Sequence, residues 1–194
     1  VDPLTTSAPA WPGAQTHRIP FWAYTDPAVY QRELERFFYR GHWCYVALEA
    51  EIPNAGDFVR TAIGERSVIV VRAADGQNIH VVENVCAHRG MRFCRERQGN
   101  RKAFICPYHQ WSYNLAGDLR GVPLKRGVQQ DGQWQGGMPA DFDTSEHSLT
   151  KLRVAQRGGV VFASFDESVE PLEAFLGDEM LRWYDRLFNG RQLV

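Results

Sequence analysis

Cys86-Ala87-His88-Arg89-Gly90 and, with seventeen residues intervening after His88, Cys106-Pro107-Tyr108-His109-Gln110-Trp111 are the stretches on which the reading of this chain turns. Each contributes one thiol and one imidazole, and side chains of these two types in short pairs are metal ligands by chemistry. Closed Cys2His2 zinc sites usually put Cys beside Cys and His beside His, at spacings of two to five residues. Cys-x-His with Cys-x-x-His fits that habit poorly, although four ligands of these types could still close around zinc. Unrelated core residues would need two of the four Cys and two of the six His to fall into this pattern by accident.

The mixed pairs suit a binuclear [2Fe–2S] centre in which two His replace two Cys on one iron, the Rieske centre. The expected ligands are Cys86 and Cys106 on one iron and His88 and His109 on the other. Neutral imidazoles leave such a centre less negative than four thiolates, with potentials of roughly −150 to +300 mV against about −400 mV for an all-cysteine ferredoxin. They can also exchange protons and hydrogen bonds with a neighbour, coupling electron movement to a second site.

Working outward, His42 onward reads as strands: Trp43 to Leu48, Phe58 to Ile63, Val68 to Arg72 and Ile79 to Val85 are short, β-branched and aromatic. Asp75-Gly76 predicts a hairpin turn, and Val68 to Val71, apolar on both faces, predicts a central strand. Gly99-Asn100 is expected to turn the chain toward Ala103 to Ile105, which delivers the second ligand pair. Leu152 to Ala155 and Val160 to Phe165 form one more hairpin through Gly158-Gly159. The fold class expected is mainly β: an antiparallel β-sandwich or barrel-like domain over 42–165, with the ligands on two loop tips.

Residues 1–20 read as an extended arm with no core pattern. The segment 21–41 contains a helix with Asp26 as N-cap, Pro27 at the first position and Gly41 as the stop. Its stripe of Val29, Tyr30, Leu34, Phe37 and Phe38 is expected to be core packing. Pro171 to Leu176 and Asp178 to Asn189 read as helices, with Gly190 as a stop. The face formed by Met180, Leu181, Tyr184, Leu187 and Phe188 has no obvious partner in so short a tail, so 166–194 looks like the threshold of another domain. Between Gly117 and Asp143 the chain is glycine-rich and weakly patterned. There Gly121-Val122-Pro123 could cover the metal centre or be an ordinary surface loop, and Trp111 and Tyr113 could pack under it, bond to it or be plain core.

Composition bounds the rest. A length of 194 residues suits one domain, or one plus part of another. Hydrophobic content of 44% supports a core, and a net charge of −1 argues against a nucleic-acid binder. No apolar run exceeds Trp43 to Leu48, so no membrane span is expected, and the first twenty residues carry no secretion signal. Two cysteines outside the ligand pattern, Cys44 and Cys94, are expected to be buried thiols, as suits a reducing, cytoplasmic compartment. The chain begins at Val1 rather than Met and is expected to belong to a longer polypeptide. From Arg89 to Lys102 six basic residues (Arg89, Arg92, Arg95, Arg97, Arg101, Lys102) face one acid, Glu96. That stretch could steer an acidic partner, pair with a neighbouring subunit, or be a solvated face.

The two ligand stretches resemble the Rieske motif in the large (α) subunit of bacterial aromatic-ring-hydroxylating oxygenases. The likeness extends to Arg18-Ile19-Pro20-Phe21-Trp22-Ala23-Tyr24, Leu48-Glu49-Ala50-Glu51-Ile52-Pro53 and Gly137-Met138-Pro139-Ala140-Asp141-Phe142. Within the family these stretches are most similar to salicylate 5-hydroxylase and its anthranilate- and ortho-halobenzoate-oxidising relatives. The resemblance implies that the segment 21–41 packs with an α+β catalytic domain mostly absent from this chain, where a mononuclear non-haem Fe(II) activates O2. Consistent with that, His17, His42, His80 and His147 are scattered, with no pair at the spacing of a two-His-one-carboxylate site.

The resemblance further implies electrons from NADH through a reductase and a ferredoxin, and a small β subunit in an assembly of three large and three small subunits. It implies an aromatic carboxylate as substrate, salicylate converted to gentisate first and anthranilate second. It also implies a neighbouring large subunit whose carboxylate meets His109. Respiratory Rieske proteins carry an extra Cys in each ligand loop, joined as a disulfide. Here Cys94 follows His88 by six residues and the stretch His109 to Gly121 has no Cys, which favours the oxygenase class. A Rieske ferredoxin, a carrier without oxygenase activity, is the reading of another class. The N-terminal arm, the helix and the helical tail argue against it.

Overall fold

The apolar run Val68–Val71 lies at the centre of the molecule, its side chains alternating between two cores. The computed structural model describes residues 10, 11, 13 and 18–188, and the strands among them run in order. They are β1 Cys44–Leu48, β2 Asp57–Ile63, β3 Arg66–Arg72, β4 Ile79–Glu83, β5 Gln98–Asn100 and β6 Phe104–Ile105, followed by β7 Ser112–Tyr113, β8 Leu119–Gly121, β9 Val128–Gln130, β10 Gln133–Gln135, β11 Arg153–Arg157 and β12 Val160–Ser164. Pairing is antiparallel throughout, in sheets ordered β4-β3-β2-β5, β1-β12-β11, β6-β7-β8 and β10-β9.

The period-two alternation of a strand explains the layering. On one face of the four-stranded sheet, Val59, Val68, Val70 and Val81 meet Val46, Ala47, Val161 and Ala163 of the β1-β12-β11 sheet. On the other, Phe58, Ile69, Val71 and Val82 meet Phe104, Tyr113 and Leu119 of the β6-β7-β8 sheet. A strand covered on both sides reads as an unbroken apolar run, which is why β3 stands out in the sequence. The mainly β architecture is as expected, with three stacked layers where a sandwich has two. The hairpins at Asp75-Gly76 and Gly158-Gly159 also form as the sequence predicts.

Gly99-Asn100 is not a turn. Both residues lie in β5, paired with β2. Gly99 sits across from the Phe58 ring, where a Cβ would come within 3.1 Å of it, so the glycine serves close approach rather than chain reversal.

The N-terminal helix starts as predicted, with the Asp26 carboxylate accepting from Ala28 and Val29 N–H. It runs as α-helix from Pro27 to Glu33 and continues in the wider π form over Leu34–Tyr39. Its apolar stripe corrects the expectation of core packing: Leu34 is buried, but Phe37 is 56% exposed and Tyr30 and Phe38 are also exposed. This helix rests mainly at the β2–β3 turn, with Tyr39 also packing against Phe165. At the turn Leu34 and the Tyr39 hydroxyl seat against Gly64, and Tyr30 reaches Glu65.

The tail is one helical stretch, Leu172–Phe188, broken at Gly177 (φ 68°, ψ 163°), so the two predicted helices are present. Part of its apolar face has a partner after all. Tyr184 and Phe188 pack at the β11–β12 hairpin, and the Arg157 guanidinium is bidentate to Asp185. The Gly190 stop and most of the 1–20 arm lie outside the described residues. No helix among the described residues is long and apolar enough to cross a membrane.

Candidate metal centre

Two loops carry the four candidate ligands to one edge of the second core, and both fold by the same local rule. Cys86 N–H donates to Met91 C=O (2.9 Å) and Gly90 N–H to Cys86 C=O (2.9 Å). Cys106 N–H donates to Trp111 C=O (2.9 Å) and Gln110 N–H to Cys106 C=O (2.8 Å). The residue four beyond each Cys is left-handed, Gly90 at φ 70° and Gln110 at φ 58°. Gly90 adopts this without steric cost, whereas Gln110 is held there by the turn.

The loops bring like with like. Cys86 and Cys106 are buried in the same core cluster, and burial pushes the Cys106 thiol up from its usual range. The His88 and His109 rings stand 4.6 Å apart at 72°. Among the described residues no three His, Cys, Asp or Glu side chains surround a common point. A sulfur pair and an imidazole pair are the donor set of a [2Fe–2S] centre with two metal atoms.

His88 Nδ1 is buried without a hydrogen-bond partner. Leaving a polar nitrogen so placed costs about 1–3 kcal/mol, a cost that metal coordination at that atom removes. Burial first, then the charges of His109 and Arg89, hold the His88 pKa below its ordinary value. The neutral imidazole that a metal requires is thereby favoured.

The surroundings fix these groups. Trp111 stacks on His88 (4.7 Å, 12°) and is itself met edge-on by Phe142 and His147. Tyr113 is fully buried; its hydroxyl lies 3.2 Å from Cys86 Sγ and accepts from Ala87 N–H at 3.2 Å. Burial, then Cys86 itself, push the Tyr113 pKa well above the usual phenol range, so the hydroxyl keeps its proton, and either it or Cys86 Sγ can be the donor in their contact. Val122 packs against the same core, giving the Gly121–Pro123 loop a covering contact. Cys94 is buried as expected, while Cys44 is only half-buried, because β1 lies at the edge of its sheet.

The "Rieske [2Fe-2S] domain" family matches residues 42–131. The large oxygenase component of salicylate 5-hydroxylase from Ralstonia sp. is 67% identical over 193 residues, covering 100% of this chain and 45% of that protein. The large subunit of anthranilate 1,2-dioxygenase from Burkholderia cepacia is 49% identical, covering 89% of this chain and 40% of that protein. Among solved structures, naphthalene 1,2-dioxygenase from Rhodococcus sp. bound to indole matches with a TM-score of 0.70 at 37% identity, over 84% of this chain and 34% of that one. The chain belongs to the Rieske oxygenase large subunits. It spans less than half the length of the two curated relatives.

A Rieske domain carries a [2Fe–2S] cluster, and this site fits one by its donor set, its pairing and its orphaned imidazole nitrogen. Were Cys86 Sγ to hold the cluster, a hydrogen bond to it from Tyr113 would stabilise the reduced, more negative state. Tyr113→Phe is therefore expected to lower the midpoint potential while leaving iron content unchanged, as read by a dye-mediated redox titration. An unchanged potential would mean that the hydroxyl serves Ala87 N–H alone.

The basic stretch lies beside these loops. Glu96 is bound by Arg101 at 2.5 Å, while Arg89, Arg92, Arg95, Arg97 and Lys102 are exposed and join no ion pair among the described residues. Two features of the site were missed in sequence. Asn84, two residues before Cys86, is buried and bonded across the first loop. His147, which looks isolated along the chain, reaches Trp111 from the 3-10 turn Thr144–His147. A buried Asn beside a ligand was the available signal for the first, and nothing in the spacing pointed to the second.

Proposed function

We propose that Cys86 and Cys106 hold one iron of a [2Fe–2S] cluster and His88 and His109 the other. On this reading the chain is the electron-accepting part of the large subunit of an aromatic-acid ring hydroxylase. The observation that carries it is the paired geometry: two thiols buried in one core cluster, two imidazoles 4.6 Å apart, and one buried ring nitrogen without a partner. When bound, the cluster accepts one electron and passes it on. The chain's own residues orient the imidazoles through Trp111, supply a hydrogen bond from Tyr113 and exclude water with Val122 and Leu119.

Residues 42–165 form the Rieske domain in this proposal. Residues 21–41 pack with a catalytic domain that 166–194 begin, and 1–20 are an arm. The exposed Phe37, Phe38, Met180 and Leu187 give that domain an apolar surface to cover. Salicylate is the leading substrate, hydroxylated to gentisate with O2 and NADH-derived electrons, because the relative at 67% identity is a salicylate 5-hydroxylase component. Anthranilate is second, on the relative at 49%. The mononuclear iron, the small β subunit, the reductase and the contact of His109 with a neighbouring subunit's carboxylate belong to the same proposal. The full-length large subunit, supplied with its electron-transfer proteins, should consume O2 and form gentisate from salicylate. Turnover of anthranilate with none of salicylate would reverse the order, and absence of O2 consumption would favour a carrier.

The exposed cations suit an acidic ferredoxin. Reversing charge at Arg95 and Arg97 together should slow reduction by ferredoxin about tenfold or more at low ionic strength, with the difference vanishing as salt is raised. A rate and salt dependence identical to the unaltered protein would remove docking from this face.

A further inference from the structure

The two ligand loops are closed by different means. The second has a backbone neck: Phe104, two residues before Cys106, pairs with Tyr113, and Ile105 pairs with Ser112. The first has no such ladder. Asn84, two residues before Cys86, occupies the position corresponding to Phe104, and its side chain takes over the pairing. Its Nδ2 donates to Cys94 C=O (2.8 Å) and to Ser67 Oγ (3.3 Å), while its Oδ1 accepts from Cys94 N–H (2.9 Å). The amide thus engages both the donor and the acceptor of one peptide residue, as a neighbouring strand would. Asn84 is 1% exposed, and its own N–H is tied to Ser67 C=O at 2.9 Å, so the clamp is anchored on β3.

We propose that Asn84 is a positioning residue for the cluster: its carboxamide closes the loop 85–93 and so sets where Cys86 and His88 stand. This rests on the reading of those two residues as ligands. Within the loop, the backbone bonds from Cys86 to Met91 and from Gly90 to Cys86 shape the tip but do not close the neck. An apolar side chain of the same size fills the space yet leaves the Cys94 peptide unpaired in a buried place. The loop must then open to satisfy that peptide, and the ligand pair moves with it. Groups that orient metal ligands typically change metal affinity 10–100-fold when removed.

The test uses the full-length large subunit with four sequences: unaltered, Asn84→Leu, Ser67→Ala and Val161→Ala. Val161 is fully buried in the other core, away from the ligand loops, and serves as a stability control. The readouts are the paramagnetic signal of the dithionite-reduced protein and the rate of iron release to a ferrous chelator. For Asn84→Leu the signal should broaden or shift and iron release should quicken about 10–100-fold. Val161→Ala should lower the melting temperature with an unchanged signal, and Ser67→Ala should stay near the unaltered protein because the Cys94 pairing survives.

Equal iron release and signal in Asn84→Leu and Val161→Ala would overturn the proposal. Should Asn84→Leu fail to fold, hydrogen exchange of the unaltered protein decides. The Cys94 amide should be protected like the β7 amides, and exchange at the rate of an open loop would refute the clamp. An unaltered protein with iron absent and no reduced signal would overturn the ligand reading and this proposal together, whereas a normal signal indifferent to Asn84 overturns this proposal alone.

Discussion

Cys106→Ala is expected to abolish the visible absorption of the full-length protein and reduce its iron and sulfide content to background. Cys106 is buried in the same core cluster as Cys86, so its loss leaves one sulfur where the proposal needs two. The site is closed by packing of Trp111, Tyr113 and Leu119, so no other side chain among these can replace the missing sulfur. The polypeptide should still fold, because the Phe104–Tyr113 and Ile105–Ser112 pairs that close this loop are backbone bonds. Cys44→Ala should have no such effect. That thiol is half-buried on β1, and its contact is a weak one to Phe38 C=O at 3.8 Å. Iron and sulfide assays with an absorption spectrum check both, and full cluster content in Cys106→Ala would remove that residue from the ligand set.

Phe58→Ala is expected to produce the largest loss of stability, about 3–5 kcal/mol. The ring is 1% exposed and meets Phe104 edge-to-face at 5.8 Å. It therefore joins the four-stranded sheet to the small sheet, through a residue two positions before Cys106. Truncation empties a space bounded by Gly99, whose missing Cβ cannot help to refill it. Denaturant unfolding followed by far-ultraviolet dichroism measures the change. A loss below about 1 kcal/mol would mean that the two sheets repack without the ring.

The strand pattern was legible because β-branched runs with short turns admit few alternatives, and β3 announced its central place by being apolar on both faces. The ligand pairs were legible because Cys and His at such spacing are rare unless both hold metal. What sequence did not disclose depends on contacts across space. Gly99 reads as a turn residue until the Phe58 ring is placed above it. The Val29–Phe38 stripe has the periodicity of a core helix, yet its core is not supplied by the strands described here. Asn84 pairs with a peptide ten residues away, and His147 reaches Trp111 over thirty-six residues of chain, distances at which no local pattern operates.

The most direct test is the metal in the purified full-length protein, measured together with its paramagnetism. The account predicts iron and acid-labile sulfide in equal amounts at this site, a visible absorption band that bleaches with dithionite, and a paramagnetic signal in the reduced state alone. Zinc in place of iron, with no colour and no signal after reduction, would contradict it.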